Sequence, residues 1–143
     1  MERIDLRKET LLKAYLTLAE AISILQEAQQ SGSSCTKSHV LAFQDSVIKR
    51  FEFCSELTWK YLKDLLEKRH GVIASSPKKV FVACKDLGVL SDEQLLVVLS
   101  IVDARNSTAH EYNELIAKNI CQQICTAYYP VMKVIIHKSF NEN

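Results

Sequence analysis

The sequence predicts an all-α fold: an antiparallel up-and-down bundle of four longer helices plus one short helix. Only 3 Gly and 2 Pro occur among 143 residues, so the chain has few of the residues that end helices and form turns. Apolar residues recur every three or four positions over long stretches, and no alternating strand pattern is present. This length suits one core, so we expect a single domain over residues 1–143.

The first two predicted helices are long, and each carries an apolar stripe. The first spans about Asp5 to Gln30 and ends at the Gly- and Ser-containing run 31–34. The second spans about Lys37 to His70 and is closed by Gly71. At ~1.5 Å per residue the second helix is about 50 Å long, a length that only other long antiparallel helices can bury. Its central stripe consists of Val40, Val47, Phe51, Cys54, Thr58, Leu62 and Leu65.

Three further helices are predicted in the second half of the chain. The third runs from Pro77 to Leu87, and the fourth begins with a capping box at 91–94 and ends at Arg105. The fourth is apolar on all sides over 95–102, so it is either enclosed by its own chain or half-covered by a second subunit, and we favour a homodimer. The last runs from about Asn113 to Lys138, with a bend expected near Ala127 because Pro130 removes a backbone hydrogen bond. Its predicted core face consists of Leu115, Ile116, Ile120, Ile124, Ala127, Tyr128, Val131, Ile135 and Ile136.

Composition limits the classes of function. The 18 Lys and Arg nearly balance the 17 Asp and Glu, so overall charge gives no support for nucleic-acid binding and only a local site could supply it. Five cysteines without a CxxC motif indicate a reduced, cytoplasmic protein. The charged N-terminus is unlike a signal peptide, and no apolar run approaches the ~20 residues that span a membrane. No Gly-rich phosphate loop, carboxylate triad or metal-ligand spacing occurs, so we expect that the chain does not itself transfer nucleotides, and we expect no cofactor and no metal.

The segment from Arg105 to Tyr112, RNSTAHEY, carries the side chains best suited to chemistry. Arg105 is a permanent cation with a planar set of donors, and His110 titrates nearest to neutral pH. On a continuous helix, side chains five positions apart lie about 140° apart around the axis and do not share one face. A bend or a helix end between Arg105 and His110, or a second copy of the chain across a symmetric dimer, is therefore needed to bring an arginine and a histidine together.

A purely structural interpretation competes with a functional one. Arg105 could cap the C-terminus of the fourth helix, where a cation is favoured, while His110 and Tyr112 pack at the start of the next helix. In the catalytic alternative, His110 acts as a general base, Arg105 stabilises a developing negative charge, and Asn106 orients either group. In a third alternative the chain is a binding module without catalysis.

A long block of the second helix resembles a known family signature. Residues 44–63 read QDSVIKRFEFCSELTWKYLK, which is similar to the signature of the nucleotidyltransferase-substrate-binding family of the HEPN superfamily of helical bundles. The segment from Arg105 to Tyr112 matches the superfamily pattern R-x4-H in its fuller form R-N-x3-H-x-Y. The resemblance covers nearly the whole chain and implies a HEPN-like bundle.

The resemblance implies a partner and two candidate activities. Such proteins form dimers and are encoded beside a minimal nucleotidyltransferase, with which they form a complex. In many pairs the HEPN subunit is a toxin that cleaves RNA without a metal, and in some the antitoxin transfers AMP to the tyrosine at the position of Tyr112. Other members are described only as the substrate-binding subunit of a two-part transferase. Of the signature's other residues, Phe53, Glu56 and Lys60 are candidates for partner contact, although Glu56 and Lys60 also form an ordinary i, i+4 pair.

Overall fold

The structure is a computed structural model that describes the backbone of residues 2–110 and 113–141 and the side chains of residues 2–106 and 113–140. Within these ranges every regular element is helical. The helices are α1 (Arg3–Ala28), α2 (Lys37–His70), α3 (Pro77–Asp86), α4 (Asp92–His110), α5 (Glu114–Gln123) and α6 (Tyr129–Asn141). A π-helical turn over Ile124–Tyr128 joins α5 directly to α6, so the two form one long helix. The prediction of four longer helices and one short helix is therefore confirmed.

The predicted helix starts and ends follow from local capping chemistry. At the start of α4, Ser91 N–H donates to Gln94 Oε1 at 2.9 Å, and Gln94 N–H donates to Ser91 Oγ at 3.1 Å. This is the reciprocal capping box that the sequence predicts. At the end of α2, Gly71 has a φ of 63°, a left-handed conformation that glycine adopts without strain.

One predicted boundary is wrong. The fourth helix was expected to end at Arg105, but α4 continues for one more turn and ends at His110. Neither glycine nor proline follows Arg105 before that point, and the Ser, Thr and Asn residues there lower helix propensity by only a few tenths of a kcal/mol each. The backbone hydrogen bonds therefore carry the helix through the whole of 106–110.

The core consists of the apolar stripes of α1 and α2, the inner face of the last helix, and buried residues of α3 and α4 such as Phe81 and Val98. Phe51 of α2 is completely buried, and its ring stacks on that of Tyr128 with 5.9 Å between centroids. Tyr15 of α1 stacks on Tyr129 with 5.0 Å between centroids. These two contacts attach the last helix to both α1 and α2, close to the π turn.

The π turn is the structural response to Pro130. The sequence predicts that Pro130 disturbs the last helix near Ala127, and the helix widens there instead of breaking. The N–H of Tyr129 bonds to the carbonyl oxygen of Ile124, five residues earlier, which is the hydrogen bond of a π turn. The wider turn accommodates Pro130 within the helix, although proline has no N–H to donate.

Apolar side chains at one end of the bundle are exposed. Leu115 and Ile116, which the sequence places on a core face, have exposures of 66% and 37%. Periodicity identified the correct face, because Ile120 on the same side is buried, but it cannot show where the neighbouring helices end. On α4, Leu96 is 67% exposed while Val98 is buried. A single chain thus covers only one side of α4.

None of the helices in the described ranges is both long enough and apolar enough to cross a membrane.

The cysteines are expected to differ strongly in reactivity. Cys35 is exposed, whereas Cys54 is buried, and none of the five forms a disulfide. Burial raises the pKa of Cys54 to about 12, although the hydroxyl of Thr58 lowers it slightly. At pH 8 only about one Cys54 in 10⁴ would then carry the reactive thiolate.

Iodoacetamide at pH 8 should therefore alkylate Cys35 within minutes and leave Cys54 unmodified until the protein is unfolded. Peptide mass spectrometry before and after addition of guanidinium chloride measures both sites. Labelling of Cys54 at the rate of Cys35 in the folded protein would contradict the burial of this thiol.

Candidate functional site

Arg105 and Asn106 are the last side chains of α4 that the structure describes. The Nη2 atom of Arg105 lies 3.6 Å from Oε2 of Glu56 on α2, which makes an ion pair between the two helices. The Nη1 atom of Arg105 lies 3.5 Å from Oδ1 of Asn106, at the limit of a hydrogen bond. Arg105 is half-exposed and Asn106 is exposed. Both can therefore be reached from solvent while one side of the guanidinium contacts the bundle.

Glu56 connects Arg105 to a second cation. Its other oxygen, Oε1, lies 3.2 Å from Nζ of Lys60, one turn along α2. Partial burial by itself raises the pKa of the Glu56 carboxyl, but the Trp59 N–H and the Lys60 ammonium beside it, with the charge of Arg105, outweigh burial. The net pKa lies below the usual value, so the carboxylate is ionised at neutral pH.

A narrow cleft between α2, α3, α4 and α6 opens beside these groups, with a cavity volume of about 40 Å³. It has room for a few water molecules but not for a nucleotide, so a larger ligand would lie across its mouth. Most of its lining is apolar, and its polar edge contains Ser55, Glu56, Arg105 and Asn106. The buried Oγ of Ser55 has no hydrogen-bond partner among the residues that the structure describes.

The remaining predicted catalytic and modification residues lie outside the described side chains. His110 is the last residue of α4, and the structure describes its backbone but not its side chain. Tyr112 lies outside the described residues. The continuity of α4 still decides two points. Arg105 is not in the last turn of its helix, so it does not cap the C-terminus as the structural interpretation supposes. No helix end separates Arg105 from His110, so the two backbone positions lie about 140° apart around the axis of α4.

The candidate partner residues lie along α2, where Phe53 is exposed and Glu56 and Lys60 are partly buried. Phe53 is 57% exposed, and Nζ of Lys49 lies 5.1 Å from its ring centroid, a cation–π contact. Glu56 and Lys60 form the predicted i, i+4 pair. Contact of Phe53, Glu56 and Lys60 with a partner stays a prediction.

The sequence did not reveal that Glu56 reaches Arg105, or that Trp59 lines the same cleft. The sequence does show by its spacing that Glu56 and Trp59, three residues apart, lie on one side of α2. Which other helix faces that side depends on packing. Within the described residues, no group of three His, Cys, Asp or Glu side chains could hold a metal ion.

Comparison with known proteins assigns the family. Residues 11–140 match the family model described as "Nucleotidyltransferase substrate binding protein like". The chain belongs to this family. The match spans both the signature block on α2 and the whole of α4, so both halves of the cleft lie inside it. Among proteins with curated functions, none matches this chain.

Solved structures show that this chain has the same fold as HEPN toxins. A Thermus thermophilus protein is 29% identical with a TM-score of 0.67, covering 85% of this chain and 98% of its own. A tri-AMPylated Shewanella oneidensis HEPN toxin, in complex with an MNT antitoxin, is 18% identical with a TM-score of 0.70, covering 99% of this chain and 100% of its own. A toxin–antitoxin structure with AMP-PNP is 17% identical with a TM-score of 0.71, covering 99% and 100%.

Proposed function

We propose that this protein is the HEPN subunit of a two-component system with a minimal nucleotidyltransferase, and that its homodimer cleaves RNA without a metal ion. Arg105, His110 and Asn106 are the proposed catalytic residues, and Tyr112 is the proposed site of AMP modification. The observation that carries the proposal is the placement of Arg105. Its guanidinium lies half-exposed at the mouth of a cleft, on a helix that continues to His110.

The dimer follows from helix geometry and from exposed apolar surface. Because the positions of Arg105 and His110 lie on different sides of one α4 backbone, an arginine–histidine pair on one substrate phosphate is best supplied by two copies related by a twofold axis. Leu96 on α4 and Leu115 on α5 are both about two-thirds exposed, as expected for residues that a second copy covers. The twofold axis would then generate two equivalent arginine–histidine pairs, one on each side of the axis.

The proposed chemistry is transfer of the phosphoryl group within the RNA strand. The His110 imidazole takes the proton of a ribose 2′-OH, whose oxygen bonds to the adjacent phosphorus. Arg105 stabilises the charge of the phosphorane through its paired N–H donors. The bond from phosphorus to the 5′ oxygen then breaks, and that oxygen takes a proton from an imidazolium. The products are a 2′,3′-cyclic phosphate and a 5′-hydroxyl end.

The test is cleavage of a defined single-stranded RNA by the purified protein in EDTA, which suppresses contaminating metal-dependent nucleases. We expect slow cleavage by the wild-type chain, cyclic-phosphate ends, and loss of both in the His110→Ala variant, because His110 is the proposed base. Equal degradation by wild type and His110→Ala would overturn the ribonuclease function.

A second candidate function is a non-catalytic subunit that docks the transferase and presents its nucleotide or polymer substrate. The family description favours it, as does a formal net charge of only +1, since proteins that bind RNA generally carry a basic surface. Co-purification with the transferase encoded by the neighbouring gene supports either function. The RNA cleavage assay separates the two functions. Mass spectrometry of Tyr112 after co-expression separates a modified hydroxyl from a merely structural one, and an AMP adduct there would place negative charge beside Arg105 and His110 and block access of a phosphate.

A further inference from the structure

We propose that Glu56 is a positioning residue, whose carboxylate sets the orientation of the Arg105 guanidinium at the mouth of the cleft. This inference rests on the proposed function, because it concerns the same cation. It assigns to Glu56 a role within one chain, in addition to the partner contact that the sequence suggests.

The first support is the way the carboxylate is shared between two cations. Oε2 faces Arg105 on α4 at 3.6 Å, and Oε1 faces Lys60 on α2 at 3.2 Å. Glu56 therefore cannot turn toward Arg105 or away from it without breaking its contact with Lys60. A long arginine side chain that is half-exposed would otherwise sample several rotamers, and a fixed carboxylate reduces that freedom.

The second support is the environment of the pair. Glu56 and Arg105 line the cleft together with Trp59, and Glu56 is partly buried there. Side chains that are partly removed from water are screened less, so their mutual attraction is stronger than that of a fully exposed pair. The chain also offers a contrast one turn away. Glu52 pairs with Lys49 on α2 itself, at 3.8 Å, and does not line the cleft.

The third support is the geometry of the Arg105 guanidinium. Its ion pair with Glu56 is made through Nη2, while Nη1 lies beside the exposed Asn106 at the mouth of the cleft. A guanidinium has five N–H donors, so an ion pair through one nitrogen does not use up its capacity to bind a phosphate. Glu56 thus directs the cation without occupying both of its terminal nitrogens, which a bidentate pair would do.

The test compares Glu56→Gln with Glu52→Gln as a matched control, since both remove one carboxylate from α2. The first readout is independent of activity: the NMR signal of the Arg105 Nε–H group. We expect Glu56→Gln to shift or broaden this signal and Glu52→Gln to leave it in place. An unchanged signal in Glu56→Gln would overturn the positioning role, whether or not the protein cleaves RNA.

The second readout is steady-state cleavage of the same RNA. Misplacement of the cation should lower kcat on the order of 10-fold, while KM stays level or falls because a negative charge near the RNA is gone. The Glu56→Asp variant should recover part of the loss. An equal loss in Glu52→Gln, or a rise in KM with unchanged kcat, would contradict the proposal. If the wild-type chain is inactive, the ribonuclease function fails and the NMR result alone decides the role of Glu56.

Discussion

Replacement of Arg105 by alanine is expected to lower the rate of RNA cleavage by about 10²- to 10³-fold, the usual cost of removing one donor from a developing charge in a transition state. Arg105→Lys should lose most of this activity as well, because an ammonium keeps the charge but not the planar pair of donors. Lys13→Ala, which removes one exposed charge from α1, is the matched control and should leave the rate within about 2-fold.

Mixing two inactive variants tests the arrangement across the dimer. If each site pairs Arg105 of one copy with His110 of the other, a heterodimer of Arg105→Ala and His110→Ala keeps one intact pair. An equilibrated equal mixture contains half heterodimers, so about one quarter of wild-type activity should return. No recovery above the separate variants would show that the pair comes from one chain, against the helical geometry of α4.

Phe51→Ala is expected to lower the free energy of unfolding by about 4 kcal/mol, the largest effect on stability in this chain. Phe51 is completely buried, and its ring stacks on Tyr128, so alanine leaves a cavity where α2 meets the last helix. Urea unfolding at a fixed protein concentration measures the change, which also keeps any contribution of dimerisation constant. Because such a loss could exceed the stability of the whole chain, Phe51→Leu serves as the milder variant, expected at about 1 kcal/mol.

Phe53 provides the control for this prediction, since it is the same residue type two positions along α2. Its ring is 57% exposed, so Phe53→Ala should change the free energy of unfolding by less than about 0.5 kcal/mol. If Phe53 contacts the transferase, the same variant should weaken co-purification without loss of stability. A destabilisation equal to that of Phe51→Ala would contradict the placement of both rings.

Much of the fold can be predicted from the sequence because it depends on local chemistry. The capping box at Ser91 and the left-handed Gly71 act over a few residues, and so the starts and ends they specify are correct. The apolar stripe of α2 is predicted from the helical period alone, and its residues Phe51 and Leu62 are indeed buried. Two predictions failed for different reasons: α4 ran on to His110 because no helix-breaking residue follows Arg105, and Leu115 is exposed because periodicity does not show which residues a neighbouring helix covers.

By itself the sequence determined the helical architecture, the family signature on α2 and the candidate residues Arg105, His110 and Tyr112, because each is written in short-range spacing. Only the tertiary structure decided that α4 crosses α2 so that Arg105 meets Glu56, a residue far away along the chain. The physical reason is that helical periodicity specifies which side of a helix is apolar, whereas the helix that packs against it is selected by the complementary shapes of many side chains in a shared core.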